Sequence, residues 1–289
     1  MGKYSIKELE RLSGIKAHTI RIWEKRYRII DPQRTNTNIR FYSDNDLKKI
    51  INVSLLNNHG IKISHIAELA HEQLVQKVLE FSEKKSESDI YINQILVTMI
   101  DLDEEGFELV MNKHTQKFGI EKTMTDVIYP FLHRIGILWQ TGNITPAQEH
   151  FVSNLVRQKI IVAIDSLPLP PKESRKALLF LPEAELHEIG LLFAHFVLRK
   201  EGIRVIYLGQ MVPYEDLKSI GLSHKPDIFV TSIISERPPK ELQAYFNTIC
   251  QDFPSATIIA TGGAVARIAL SFPPNLRLAD GVPKLRQFI

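Results

Sequence analysis

The residues of this chain best suited to chemistry sit in two short stretches. The first is Glu185-Leu186-His187-Glu188-Ile189-Gly190. A histidine with a carboxylate two residues before it can hold a metal through one ring nitrogen, while the carboxylate takes the other N–H and fixes the tautomer. The glycine three residues on lets a large flat ligand approach the backbone. Taken alone, the same loop also reads as a helix start bearing an ordinary surface histidine. The second stretch is Trp139 with Glu149-His150: a flat apolar wall beside two hydrogen-bonding side chains. In isolation these too have a plain reading, a core tryptophan at a helix end and a glutamate favoured by the dipole of a first turn.

Both stretches need elements to position them. Residues 178–211 read as strand, loop, helix, strand, which places the Glu185–Gly190 loop at the carboxyl end of the first strand of a parallel α/β sheet, where such sheets bind ligands. Further strands are expected near residues 204–208, 228–231, 257–261 and 277–279, with the first at 177–181 and a last helix at 283–289. Upstream, residues 90–100, 103–118, 120–140 and 145–166 read as four helices with apolar residues at helical spacing. Gly142-Asn143 stops one helix. Thr145, Pro146 and Gln148 then open the next as N-cap, first position and capping box. That short connection is what brings Trp139 near Glu149 and His150. The proline-rich residues 167–174 form a stiff linker between the helices and the sheet.

The first eighty residues have a different character. Ser5 and Glu8 make a capping box, Ser13-Gly14-Ile15 a turn, and residues 17–27 a second helix with Ile20 and Trp23 inside and a polar, basic outer face, as in a helix whose face enters a major groove. Residues 32–42 read as a β-hairpin wing whose Arg34 and Arg40 are available to phosphates. Two helices, 46–58 and 64–81, finish the head, and the charged, serine-rich residues 82–88 read as a flexible tether. No heptad run follows, so pairing must come from the body of the protein or not occur in the free state.

Composition agrees with this division. The 289 residues are 44% hydrophobic and 24% charged, with a single cysteine, Cys250, which excludes an internal disulfide and any multi-cysteine metal site. No apolar run is long enough for a membrane span and no signal-peptide core opens the chain, so a cytoplasmic protein is expected. Net charge is +3, but residues 1–50 alone hold twelve Lys/Arg against six Asp/Glu. A basic module on a mildly acidic body suggests that the first part meets a polyanion.

Three resemblances sharpen these expectations. The loop at 185–190 resembles the D/E-x-H-x-x-G signature of cobalamin-binding domains. Ser232-Ile233-Ile234 stands where that family has S-x-L, and Gly262-Gly263 where it has paired glycines. The resemblance implies His187 as axial ligand of cobalt, with Glu185, Gly190, Ser232, Gly262 and Gly263 around the cofactor; most of the broad family carries Asp at position 185. Tyr4-Ser5-Ile6, residues 19–27 and Arg40-Phe41-Tyr42 with Asp46-Leu47 resemble the MerR family of winged helix-turn-helix regulators. This implies Thr19 and Arg21 near bases or phosphates, with Tyr27, Arg34, Arg40 and Tyr42 on the DNA backbone and Trp23 and Phe41 in the core. Finally, W-x9-E-H resembles the helical cap of the CarH/LitR-type cobalamin photoreceptors, a branch of MerR regulators, and implies Trp139, Glu149 and His150 around the adenosyl group. In light-rewired members a His directly follows the Trp, and this chain has Gln140.

The expected fold is multidomain α and α/β: a winged helix-turn-helix head at 1–81, a four-helix bundle cap at 89–166 and a Rossmann-like, flavodoxin-like cobalamin-binding domain at 175–289. The expected function is a non-enzymatic, adenosylcobalamin-dependent, light-responsive repressor that binds double-stranded promoter DNA as a homo-oligomer, a dimer or tetramer, with no membrane partner. The alternatives are a regulator that keeps the fold without the cofactor, or a cobalamin-dependent methyl carrier or enzyme.

Overall fold

A computed structural model describes residues 4–35, 38–58, 60–70, 73–74, 77, 88–140, 145–235, 237–266 and 273–289. Of the tether expected at 82–88, residues 82–87 lie outside the described residues and Ser88 is already helical; residues 78–81 of the helix expected over 64–81, the Gly142-Asn143 helix stop and the side chains of residues 137–140 also lie outside them. The chain divides into two compact units, Met1–Leu155 and Val156–Ile289.

The first unit opens with α1 (Ile6–Ser13) and α2 (Ala17–Tyr27). Ser5 and Glu8 close the expected capping box on α1, and Ile20 and Trp23 point inward from α2. The wing pairs β1 (Gln33–Arg34) with β2 (Arg40–Phe41) in antiparallel register. Beyond it, Tyr4 and Tyr42 exchange backbone hydrogen bonds of 2.9 and 2.8 Å, which ties the start of the chain to the wing's exit. Then come α3 (Asp44–Asn58) and a short α4 (Ile63–Ala67); the single helix expected over 64–81 is broken, since residues 68–70 are non-helical, the Ala70 N–H donates to the Gln73 side chain at 2.9 Å and helix resumes at 73–74. Every residue from Ile50 to Leu56 in α3 is buried, so this helix has apolar neighbours on more than one side. One neighbour is α1 and the other is α5 (Ser88–Asp101). α5 is itself apolar nearly all round, with Ile90, Tyr91, Ile95, Leu96 and Met99 buried, as expected of a helix buried on several faces.

After α5 come α6 (Glu104–Thr123), a π-helical turn (Met124–Ile128), α7 (Tyr129–Gln140) and α8 (Pro146–Asp165). The break expected between residues 118 and 120 is Gly119, held at φ 79° and ψ 160°. The π-helical turn is not signalled by the sequence. It is one extra residue accommodated within a run whose apolar spacing reads as ordinary helix. Asp103 caps α6 through the Gly106 N–H at 2.9 Å.

The second unit carries a five-stranded parallel sheet in the order β4-β3-β5-β6-β7. Its strands are β3 (Lys176–Pro182), β4 (Arg204–Val212), β5 (Ile228–Ser232), β6 (Thr257–Thr261) and β7 (Leu276–Leu278). This is the doubly wound flavodoxin-like order, in which the direction of winding reverses between β3 and β5. Central β3 and β5 are continuous apolar runs, buried on both faces, as parallel strands covered by helices must be. Phe180, Phe229 and Ile258 meet Leu217 of α10 (Tyr214–His224) and Phe246 of α11 (Pro239–Asp252) in one core. α9 (Ile189–Lys200) lies against β3, β4 and β5, and α13 (Val282–Gln287), which follows the short α12 (Gly263–Ala266), lies beside it. Cys250 belongs to the α11 core, and burial pushes its thiol up to about 11. The proline linker is pinned rather than loose: Arg199 donates to the Leu167 carbonyl at 2.6 Å and Arg204 to that of Lys172 at 3.1 Å.

β4 runs four residues past the expected end at Leu208, through shifts of register against β3. A bulge of this kind re-aims side chains at a sheet's edge, and here it turns Gln210 toward the loop after β3.

Gly119 occupies a backbone region that is nearly glycine-only, and residues forced there cost about 1–3 kcal/mol. Gly119→Ala is therefore expected to lower the free energy of unfolding by about 1–3 kcal/mol, read as a lower midpoint with an unchanged slope in urea.

Candidate functional site

The site at the sheet's carboxyl edge is built around a buried carboxylate. Glu185 leaves the end of β3, turned inward at 0% exposure. Its Oε1 accepts from the backbone N–H groups of Leu186 and His187, both at 3.1 Å, and from the Ser235 hydroxyl at 3.2 Å. Its Oε2 accepts from the N–H groups of Ile234 and Ser235, both at 2.9 Å. His187 Nδ1 meets Oε1 at 2.5 Å. Burial pushes the Glu185 carboxyl up, but hydrogen bonds from the His187 ring and the Ser235, Ile234 and His187 backbone outweigh it and bring the pKa down to about 2. An anion held this way takes the proton on Nδ1 as its partner and directs the imidazole's metal-binding character to Nε2.

Two strands therefore supply one site. The loop after β3 carries Glu185 and His187, and the loop after β5 carries Ile234 and Ser235. Those loops flank the point where the winding reverses, the place where doubly wound sheets take ligands. His187 keeps 55% of its side chain exposed. Leu186, Met211 and Ile234 at the same edge are also exposed, an apolar rim suited to a large flat ligand. Next to His187, Glu188 accepts from Tyr207 at 2.9 Å and from Arg157 at 2.8 Å, and Gln210 donates to the Leu186 carbonyl at 2.9 Å. These bonds hold the loop from its other side. The hydrogen bond to Glu188 follows burial in raising the Tyr207 phenol.

The remaining residues expected here take distinct places. Gly190 starts α9 so close to β5 that a Cβ would stand 3.1 Å from the Ser232 hydroxyl. Ser232 is buried at the end of β5 beside Thr231, whose hydroxyl is buried without a partner. Gly262 has φ 106°, and a Cβ there would fall 2.3 Å from the Ile233 carbonyl oxygen, while Gly263 faces open space. An unsatisfied buried hydroxyl, a glycine-lined approach and a half-exposed imidazole under an apolar rim fit a corrinoid, whose metal would arrive in its own macrocycle and could be held by His187.

In the first unit, Thr145 and Gln148 form the expected capping box on α8. His150 and Glu149 bond each other at 2.7 Å in its first turn. Trp139 lies in the last turn of α7, with its side chain outside the described residues. In the head, Arg21, Arg34 and Arg40 are exposed, and Thr19 and Tyr27 partly so. Arg34 is braced by the Asn38 side chain at 2.6 Å and Arg40 by Glu24 at 3.4 Å. Tyr42, expected on the DNA backbone, is instead 0% exposed, and its hydroxyl donates to Glu24 at 3.2 Å. It lies past the two-residue strand, where the bridge to Tyr4 turns it into the core. Glu24, not singled out by the sequence, thus joins recognition helix to wing. Ser235 and Gln210 were likewise unmarked, since they reach the site only through tertiary folding.

The match to a MerR HTH family regulatory protein covers residues 4–73, and that to a B12 binding domain covers residues 91–163. Over 270 residues the chain is 30% identical to the HTH-type transcriptional repressor CarH of Myxococcus xanthus, covering 91% of this chain and 90% of that protein. The chain belongs to the CarH family. The HTH-type transcriptional repressor CarA of the same organism is 27% identical over 267 residues, covering 91% of this chain and 87% of that protein. A solved structure, the monomethylamine corrinoid protein of Methanosarcina barkeri, shares the fold at a TM-score of 0.55 and 14% identity, over 68% of this chain and 95% of that one. This CarH-family chain is therefore a cobalamin-dependent DNA-binding regulator, with a MerR-type head joined to a B12-binding body. Among the described residues no helix is long and apolar enough to cross a membrane.

Glu185→Gln keeps the shape but turns an amide N–H toward buried donors. Each donor left without an acceptor costs about 1–3 kcal/mol. The variant is expected to unfold at lower denaturant and to lose amide-exchange protection at Ile234 and Ser235.

Proposed function

We propose that this protein is an adenosylcobalamin-loaded repressor that binds promoter DNA in the dark as a dimer or tetramer and lets go on illumination. What supports this reading above all is the Glu185–His187 pair at the reversal point of the sheet, in a chain that begins with a MerR-type head. Bound adenosylcobalamin supplies a light-cleavable cobalt–carbon bond. The protein's part is to hold and read the cofactor. His187, oriented by Glu185, would hold the cobalt through Nε2. Gly190, Ser232, Gly262 and Gly263 line the way for the cofactor's tail. Trp139 walls the upper ligand, and Glu149 and His150 offer it hydrogen bonds once their mutual bond opens. Thr19 and Arg21 face the major groove, with Tyr27, Arg34 and Arg40 on phosphates; Tyr42 orders Glu24 and the wing. Gln140 stands directly after Trp139 in the sequence, where light-rewired members have a histidine, and its amide would be a poor ligand for cobalt.

The physics is selection of one assembly state by a ligand that contacts it preferentially. On this reading the protein acts as a regulator rather than an enzyme and works in the cytoplasm.

The test uses the full chain, adenosylcobalamin and a duplex that the parent selects from random-sequence DNA. The parent is expected to form its larger assembly and bind the duplex in the dark, and to lose both in light. His187→Ala and Trp139→Ala are each expected to weaken cofactor-dependent assembly. Parental assembly by both variants, followed by sedimentation, would refute the cap reading.

A further inference from the structure

The first turn of α8 is joined to the DNA-binding head by polar contacts inside the first unit. Gln148 uses both ends of its amide. Its Oε1 accepts from the Thr145 N–H at 3.2 Å and the Thr145 hydroxyl at 3.1 Å, closing the capping box. Its Nε2 donates to the Ile100 carbonyl at 3.2 Å. That carbonyl is one of the last four of α5, which no intrahelical N–H can reach. Its neighbours are satisfied locally: Thr98 by the Asp103 N–H and Met99 by the Leu102 N–H. Ile100 alone of these three is answered from another helix.

The next residue, Asp101, forms an ion pair with Lys48 of α3. Lys48 is only 15% exposed along its side chain, so this pair is better sheltered than an ordinary surface one. The apolar bodies of α3 and α5 pack together behind it. One turn before Lys48, Asp44 accepts from the Tyr4 hydroxyl at 2.8 Å. Tyr4 is bridged through its backbone to Tyr42, and Tyr42 donates to Glu24 of α2, which also holds Arg40 of the wing.

We infer that Gln148 couples the Glu149–His150 turn to the orientation of the DNA-binding head, through the Ile100 carbonyl and the Asp101–Lys48 ion pair. The inference rests on the proposed role of Glu149 and His150 at the upper side of the cofactor. Those two residues immediately follow Gln148 in the first turn of α8. Opening their mutual hydrogen bond to meet a ligand shifts that turn, and the Gln148–Ile100 bond passes the shift to the end of α5 on which the head is docked. Gln148 is a positioning residue: it touches neither cofactor nor DNA.

The selective variant is Gln148→Glu. Glutamate is a standard capping-box residue at this position, so the α8 cap is retained. The donor to Ile100 is lost, and a carboxylate faces a carbonyl oxygen. Cofactor binding is followed by the absorption change on titration with adenosylcobalamin, and DNA binding by affinity for the parent-selected duplex with and without cofactor. Cofactor is expected to change the parent's DNA affinity on the order of 5–150-fold, the usual range of allosteric coupling. In Gln148→Glu the ratio falls toward unity while the cofactor titration midpoint stays parental. Asp101→Asn, which leaves the α8 cap untouched, lowers the ratio in the same direction. A Gln148→Glu protein that binds cofactor like the parent and keeps the parent's full ratio overturns the coupling and leaves the repressor reading standing. A parent whose DNA affinity ignores cofactor overturns both.

Discussion

A single buried carboxylate organises the ligand-binding half of this protein. Glu185 sits in an apolar interior where an isolated anion would be strongly disfavoured. It is kept charged because two loops turn their donors onto it. The same bonds that stabilise the anion fix the distance between the end of β3 and the end of β5. They also set the tautomer and the tilt of His187. Stability and ligand chemistry therefore share one group here: the carboxylate that satisfies the loop donors is the one that orients the imidazole.

The topology explains why this arrangement stands where it does. In a doubly wound sheet the connections from the two central strands leave in opposite directions and open a crevice at their carboxyl ends. β3 and β5 are that pair. The late bulge in β4 adds a third side, since it brings Gln210 to the Leu186 carbonyl. Glycines serve unequal purposes around the crevice. Gly262 is required by the Ile233 backbone pressed against it, whereas Gly263 faces open space, where a ligand would pass.

Much of this was legible in the sequence, and what was not has physical reasons. The carboxylate–histidine spacing survives folding because both residues lie in one short loop. The Gly119 break, the Thr145–Gln148 capping box and the five strands are local features set by residue type and periodicity. Tyr42 was expected on the DNA backbone only through the MerR resemblance; its burial depends on the bridge to Tyr4, far away in sequence. β4 looked finished at Leu208-Gly209 since glycine reads as a stop, yet pairing with β3 carries it on. Ser235, Gln210 and Glu24 carry no motif at all. Their roles come from where the fold delivers them, as does the packing of α3 on α5, which the apolar count of either helix signals without naming the partner.

The most direct test of the central claim is the electron paramagnetic resonance spectrum of the protein loaded with cobalamin in the cobalt(II) state, with and without nitrogen-15 histidine. Ligation by His187 predicts that the threefold nitrogen splitting from the axial ligand becomes twofold on labelling, and that His187→Ala abolishes this response. A threefold splitting that ignores the label would show that the axial nitrogen belongs to the cofactor itself, and would contradict the account.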